Sequence, residues 1–276
     1  GNILFIKEKV ESQGIPLKAW DIVINYGIKT GLNEAFVIDK ATRDRLIAED
    51  PRSEGIIKPM VRGRDIHKFS VDNNEIWLIY IPWHFPNHSN LNNSDFNVNE
   101  NNFKTKYPAI YKHILQHKPL LEKRNKAETG IRYEWYALQR FGSNYWEDFE
   151  KPKVIYPVMT KFLNFAYDDQ GFYGNDKVFT LLGEQIEWLT CFFNSKLWAY
   201  CFRDNFPELL GGTRELRKVF MEEIKVKKVD DDVLEICKNY IQKIKDGDNT
   251  IVEQIDQLVY ELYGLTEEEI RIVEGK

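Results

Sequence analysis

The chain has 276 residues, 43% hydrophobic, 29% charged and 14% aromatic, with a net charge of −5. That balance describes a globular protein long enough to bury a large core, and it excludes a disordered or fibrous chain. The longest apolar runs, "WLIYIPW" and "WLTCFF", fall well short of the roughly 20 residues that cross a bilayer, so no membrane partner is expected.

Ile24–Asp39 reads "INYGIKTGLNEAFVID". A phosphate-binding P-loop needs two glycines with four residues between them, followed by Lys-Ser/Thr. Here Gly27 and Gly31 stand too close, and Lys29-Thr30 precedes the second glycine, so the stretch reads as a structural turn into a strand over "EAFVID". "KATRDRLIAEDP" predicts a short helix stopped by Pro51, and "EIWLIYIP" a buried strand ending at Pro82. Half of the residues from Asn87 to Asn102 are Asn, which predicts loop. "YPAIYKHILQHKPLLEKRNK" is helical in character and must bend or restart near Pro119.

"KVIYPVMT", "LNFAYDD" and "KVFTLLG" predict strands, the last two joined by a turn at Gly171 and Gly174. Ile186, Leu189, Phe193, Leu197 and Cys201 share one face of a single core helix. Thr213, after "LGG", is placed to cap a helix. In the tail, Val233, Ile236, Cys237, Tyr240, Ile241 and Ile244 follow amphipathic helical spacing; Ile251, Ile255, Leu258, Val259 and Leu262 repeat it up to Gly264. Thr266 and Glu269 form a capping box for a last short helix.

Cys191, Cys201 and Cys237 contain no CxxC pair and are odd in number, which supports neither a disulfide framework nor a zinc site and suggests a cytoplasmic location. The opening "GNILFIKEKV" lacks a secretory leader, and Gly1 in place of methionine fits an excised fragment. Charge is unevenly spread. From Asp230 onward 13 acidic residues face 5 basic ones, leaving about +3 on the rest, and Lys104 to Arg140 holds nine cations against three glutamates.

Two H-x-x-x-H spacings, His84/His88 and His113/His117, invite a metal, yet no H-E-x-x-H glutamate or third ligand accompanies them. Asp168, Asp169, Asp176 and Lys177 are the residue types a metal-dependent nuclease uses, and equally those a turn uses. G-x-S-x-G, GxGxxG and an amino-methyltransferase "NPPY" motif are missing. Binding chemistry remains: in the basic zone, cations interleave with Tyr107, Tyr111, Tyr133, Trp135 and Tyr136. Lys and Arg neutralise phosphates, Arg and Asn can read base edges, and aromatics pack on sugars or bases. A solvated helix face beside a core explains the same composition.

Taken in order, "YGIKTGLNEAFVID", "IIKPMVRGRDI", "WYALQR", "FEKPKVIYPVMTKFLNFAYDDQGFYGNDKVFTLLG", "LGGTRELRK" and "IDQLVYELYGLTEEEI" resemble the TaqI-like C-terminal specificity domain, the target recognition domain of type IIG restriction-modification enzymes. The resemblance covers nearly the whole chain and rests on the order of many motifs. It implies an α+β fold with twisted antiparallel sheets and a C-terminal helical hairpin, with residues 1–229 as the DNA recognition domain and 230–276 as a spacer or docking element. It further implies double-stranded DNA as partner. The methyltransferase and nuclease domains of a parent chain, using S-adenosylmethionine and Mg2+, would supply the chemistry, with no catalytic residue, cofactor or metal in this portion. Local chemistry then nominates as DNA contacts Lys29, Thr30, Arg62, Arg64, Asn92, Asn93, Lys104, Lys106, Lys123, Arg124, Arg132, Tyr133, Trp135, Arg140, Lys161 and Arg214. A self-contained nuclease on the Asp168 cluster and a protein-docking module built on the acidic hairpin are the alternatives.

Overall fold

The computed structural model describes residues 1–87, 95–126 and 132–276. Its centre is the strand Val178–Gly183, whose first five residues are buried. It pairs antiparallel with Ile22–Tyr26 on one side and Lys153–Pro157 on the other; Ala166–Asp168 adds a fourth strand beyond Lys153–Pro157. Side chains alternate across such a ladder. Phe179 opposes Tyr156, and Leu181 opposes Val154; these four enter the larger core, while Ile155 and Val178 point the other way, onto Val61 and Ile66.

The larger core is completed by the helices Asn2–Glu11, Ile186–Phe193 and Lys196–Phe202 and by the tail. Cys237 and Ile241 from Asp231–Lys245, and Ile255, Val259 and Tyr263 from Ile251–Tyr263, are all buried in it. The capping box of Thr266 and Glu269 forms as the sequence predicts, and Gly264 ends the preceding helix in the left-handed conformation. Residues 230–276 thus share one core with the residues that precede them. A second core gathers buried side chains drawn from between Ile28 and Phe149, with Tyr173, around a sheet in which Trp77–Ile79 lies between Val37–Ile38 and Ile57–Val61, with Tyr173–Gly174 added in parallel.

Several elements depart from the sequence reading. The strand expected over Glu34–Asp39 is mostly a helical turn, Asn33–Phe36, and only Val37–Ile38 is strand; the Thr30 hydroxyl accepts the Leu32 N–H and contacts Asn33 Oδ1, which winds the chain there. Asp39 caps Lys40–Glu49 through the Thr42 N–H, as a helix stopped before Pro51 requires. The asparagine-rich segment is helical from Phe96 to Lys106, because the Asp95 carboxylate caps the Val98 N–H and Asn99 and Phe103 are buried. The helical run after Tyr107 breaks at Gln116-His117 and restarts at Lys118, with Pro119 in the first turn, where its missing N–H costs nothing.

The single core helix is two, interrupted where Ser195 Oγ accepts the Trp198 N–H and donates to the Phe192 carbonyl. Thr213 caps no helix: Arg214–Glu215 forms a short ladder with Met159–Thr160, and the next helix starts at Lys218. Ala166–Asp168 and Val178–Gly183 are not hairpin partners, since Lys153–Pro157 lies between them. The Asp168 carboxylate accepts the N–H groups of Gln170 and Phe172 and the Lys153 ammonium, turning the chain out of the sheet. Among the described residues no helix is long and apolar enough to cross a membrane.

Where Ile22–Tyr26 ends, Gly27 donates to the Val178 carbonyl, and a Cβ at this position would lie 1.7 Å from the Asn175 carbonyl oxygen. No side chain fits against that backbone. Replacing Gly27 by Ala is expected to cost about 3 kcal/mol, the upper end for overpacking, and urea unfolding of G27A against the parent chain measures it.

Candidate nucleic-acid interface

The close approach at Gly27 begins a continuous backbone seam. Ile28 donates to the Gly174 carbonyl at 2.8 Å, and Lys29 and Arg140 exchange hydrogen bonds of 3.0 and 2.8 Å as a one-residue antiparallel pair. On the other side of Asn175, Asn175 Oδ1 accepts the Lys177 N–H, and a Cβ on Gly63 would lie 2.8 Å from the Lys177 carbonyl. That carbonyl accepts the Val158 N–H, whose own carbonyl accepts the Leu216 N–H, and the Met159–Thr160 ladder with Arg214–Glu215 follows. Segments far apart in sequence thus meet edge to edge, and the exposed cations along them include Arg140, Lys29, Lys177, Arg64, Lys161 and Arg217.

Arg217 pairs with Glu215 at 3.2 Å. Among the described residues, no salt bridge engages the other five. On a chain of net charge −5, a row of uncompensated surface cations is a local anion-attracting feature. Aromatic surface accompanies it. The Arg140 guanidinium lies 6.0 Å from the Tyr26 ring centroid, and a hollow of about 210 Å³ opens between Trp83, Arg140, Phe141, Ser143 and Tyr145. A second hollow of about 170 Å³ across the same loop is walled by Tyr80, Phe85, Phe141, Trp146 and Tyr173, with Lys58 at its edge.

Other nominated residues face elsewhere. Arg124 is turned inward: its guanidinium donates to the carbonyls of Thr30, Trp135 and Ala137 and lies over the rings of Phe36 and Tyr133. Gly31, at φ +79, leaves room for it. Thr30 is 3% exposed and bonded within its own turn; Tyr133 is 1% exposed and stacks on Trp83 at 4.9 Å. Trp135 donates its indole N–H to Glu100. Arg62 grips Asp65 with two hydrogen bonds of 3.0 Å, and Arg214 bonds Asp204 and the Phe206 carbonyl, each at 3.1 Å. These six hold the fold together, and the geometry gives them no outward contact of the kind nominated.

Lys104, Lys106, Lys123 and Arg132 are exposed; the first three ride on helices that cover the second core, Lys104 lying 5.9 Å from the Tyr111 ring. Asn92, Asn93 and His88 lie outside the described residues. Lys177, Arg217 and Tyr26 were not among the nominated DNA contacts. Nothing in the sequence marks them, because glycine-permitted contacts between distant segments bring them together.

Two of the three carboxylates considered for nuclease chemistry, Asp168 and Asp169, are tied to lysines within the fold. Lys153 is fully buried and bonds Asp168 at 2.6 Å and the Phe149 carbonyl at 2.5 Å, while Asp169 pairs with Lys245 at 2.8 Å. Burial holds the Lys153 ammonium below its usual pKa, and Asp168 opposes that shift. His84 is held by Glu134, ring Nδ1 to Oε1 at 2.6 Å and backbone N–H to Oε2 at 2.7 Å; burial pushes the Glu134 carboxyl up, against the pull of His84. His113 and His117 stand 5.7 Å apart between ring centroids. Among the described residues no three His, Cys, Asp or Glu side chains converge as metal ligands would.

A match to the TaqI-like C-terminal specificity domain spans residues 58–226. The chain belongs to this family. As a TaqI-like specificity domain it is 24% identical, over 260 residues, to the type II methyltransferase M.MjaIV of Methanocaldococcus jannaschii, covering 86% of this chain and 77% of that protein. Two solved structures share its fold. The type IIL restriction-modification enzyme MmeI, solved in complex with DNA, matches 94% of the chain at a TM-score of 0.60 and 12% identity. The type IIG restriction endonuclease BpuSI matches 94% at 0.52 and 14%. The domain spans about a third of the length of each enzyme, 35% and 33%, and its α+β architecture of antiparallel sheets with C-terminal helices agrees with the fold expected from the sequence.

Removing the Asp168 carboxylate leaves a buried ammonium uncompensated, so D168A is expected to lose about 3–5 kcal/mol of stability, read from chemical denaturation. Burial, aided by His117 and Arg45, holds His113 below the ordinary histidine pKa. The unfolded chain then takes up a proton that the native state refuses. The stability tied to His113 is present above about pH 6.5, the unfolded value, and is lost as pH falls through it toward the depressed folded value. H113Q is expected to flatten that part of the pH dependence of the thermal midpoint.

Proposed function

We propose that this specificity domain recognises a short sequence in double-stranded DNA and positions it for the catalytic domains of a restriction-modification enzyme. Adenine-N6 methyl transfer from S-adenosylmethionine and Mg2+-dependent cleavage belong, in this reading, to those neighbouring domains; the chain described here contributes binding without chemistry of its own, in the cytoplasm. The observation that carries the reading is the row of unpaired cations, Lys29, Arg64, Arg140, Lys161 and Lys177, along one backbone seam beside aromatic hollows. Phosphate contacts of this kind fix the register of a duplex, and polar groups at the hollows, such as Ser143 and Asn144, are placed to meet base edges. Lys104, Lys106, Lys123 and Arg132 would extend the contact on the second core. The family match and the 77% coverage of a protein named as a type II methyltransferase support the same assignment.

Counterion release gives the test. Each phosphate contact contributes close to one unit to the slope of log affinity against log salt. Binding of a duplex library is expected to weaken steeply with salt, and K29A/R140A to lower the slope by about two units. K18A, which breaks the surface pair with Glu223, is expected to leave it unchanged. Equal slopes for the double variant and the parent chain count against the seam as the contact surface.

A further inference from the structure

Leu210 is 99% exposed, the highest value among the large apolar side chains of the described residues. It does not sit on a loose loop. Leu209 donates to the Thr213 carbonyl at 2.7 Å, closing a tip in which Gly211 and Gly212 both adopt positive φ, and Glu208 and Arg214 pair at its base. Arg203 braces the tip from below, donating at 3.0 Å to the Lys161 carbonyl and at 2.9 Å to the Gly212 carbonyl. Around it lie further apolar side chains, Phe162 at 67% and Met159 at 47% exposure. The tip therefore stands where the cation seam ends, beside the unpaired Lys161.

We propose that Leu210 is an apolar wedge that enters the stack of the bound duplex at a base step, and this rests on the DNA-binding reading above. A fixed apolar tip beside the unpaired Lys161, with the Asp204 and Glu208 carboxylates at its base held by Arg214, has what insertion requires. Lysine and arginine draw the phosphates onto the seam, and an aliphatic side chain then separates adjacent base pairs without needing hydrogen bonds from them. The two glycines let the turn narrow to a width that a groove admits, and the Arg203 brace keeps the tip from folding back. Insertion favours steps that unstack readily, so the wedge adds selectivity at a position where no base edge is touched.

The full chain first selects duplexes from a randomised library, and a selected duplex is remade with 2-aminopurine at successive positions. Binding is expected to raise 2-aminopurine fluorescence several-fold at one step. L210A and L210S are expected to lose that rise, L210M to keep it, and all three to retain the wild-type salt slope. Because Leu210 packs against nothing, these variants keep the fold, which their thermal midpoints verify. The proposal is overturned if L210A gives the wild-type rise, or if wild-type protein binds with no position brightening. It is equally overturned if L210A alters only the mass seen by light scattering, the result of a protein contact. A chain that selects no duplex defeats the DNA reading itself, which is distinguishable from a wedge that fails on a duplex that binds.

Discussion

The molecule turns on a place where two backbones touch because one of them has no side chain. At Gly27 the outgoing strand lies against Asn175 so closely that a methyl group would overlap its carbonyl. This contact does two jobs. It joins the larger core, which the strand Ile22–Tyr26 serves, to the second core, which begins at Ile28. It also starts the seam from which Lys29, Arg140 and Lys177 project. A change there propagates into both the packing of the body and the placement of its cations.

Much of the fold is legible in the sequence where local signals agree. The tail helices combine apolar spacing with the stop at Gly264 and the capping box of Thr266 and Glu269, and all three helices form. Asp39 and Pro51 bracket the helix between them. Legibility fails where a distant partner decides. Nothing near Asp168 announces that a buried lysine 15 residues earlier will hold its carboxylate, so a hairpin is the natural expectation for the segment that follows. The asparagine-rich stretch reads as loop by propensity, but one aspartate cap and the burial of Phe103 outweigh a run of weak helix formers.

The candidate site is legible in the sequence only as to charge, for a related reason. Of the cations nominated as DNA contacts, Lys29, Arg64, Arg140 and Lys161 lie exposed, whereas Arg124, Arg62 and Arg214 carry the same charge into internal bonds. Sequence gives the charge of a residue and not its direction. Arg124 turns inward because Gly31 vacates the space it needs and three carbonyls converge on it. Tyr133, attractive as a base-stacking partner, packs behind Trp83 at one hollow, and Trp135 packs on Tyr111 and Tyr136.

The acidic helices at the end of the chain have a consequence beyond completing the core. The segment from Asp230 onward carries 13 carboxylates against 5 cations and packs against Ile186–Phe193, while the body before it carries a net positive charge, with five unpaired cations along the seam. A molecule with its two signs separated in this way carries an electric dipole moment. In the field of a polyanion it experiences a torque before contact, so encounters are biased toward those in which the positive side leads.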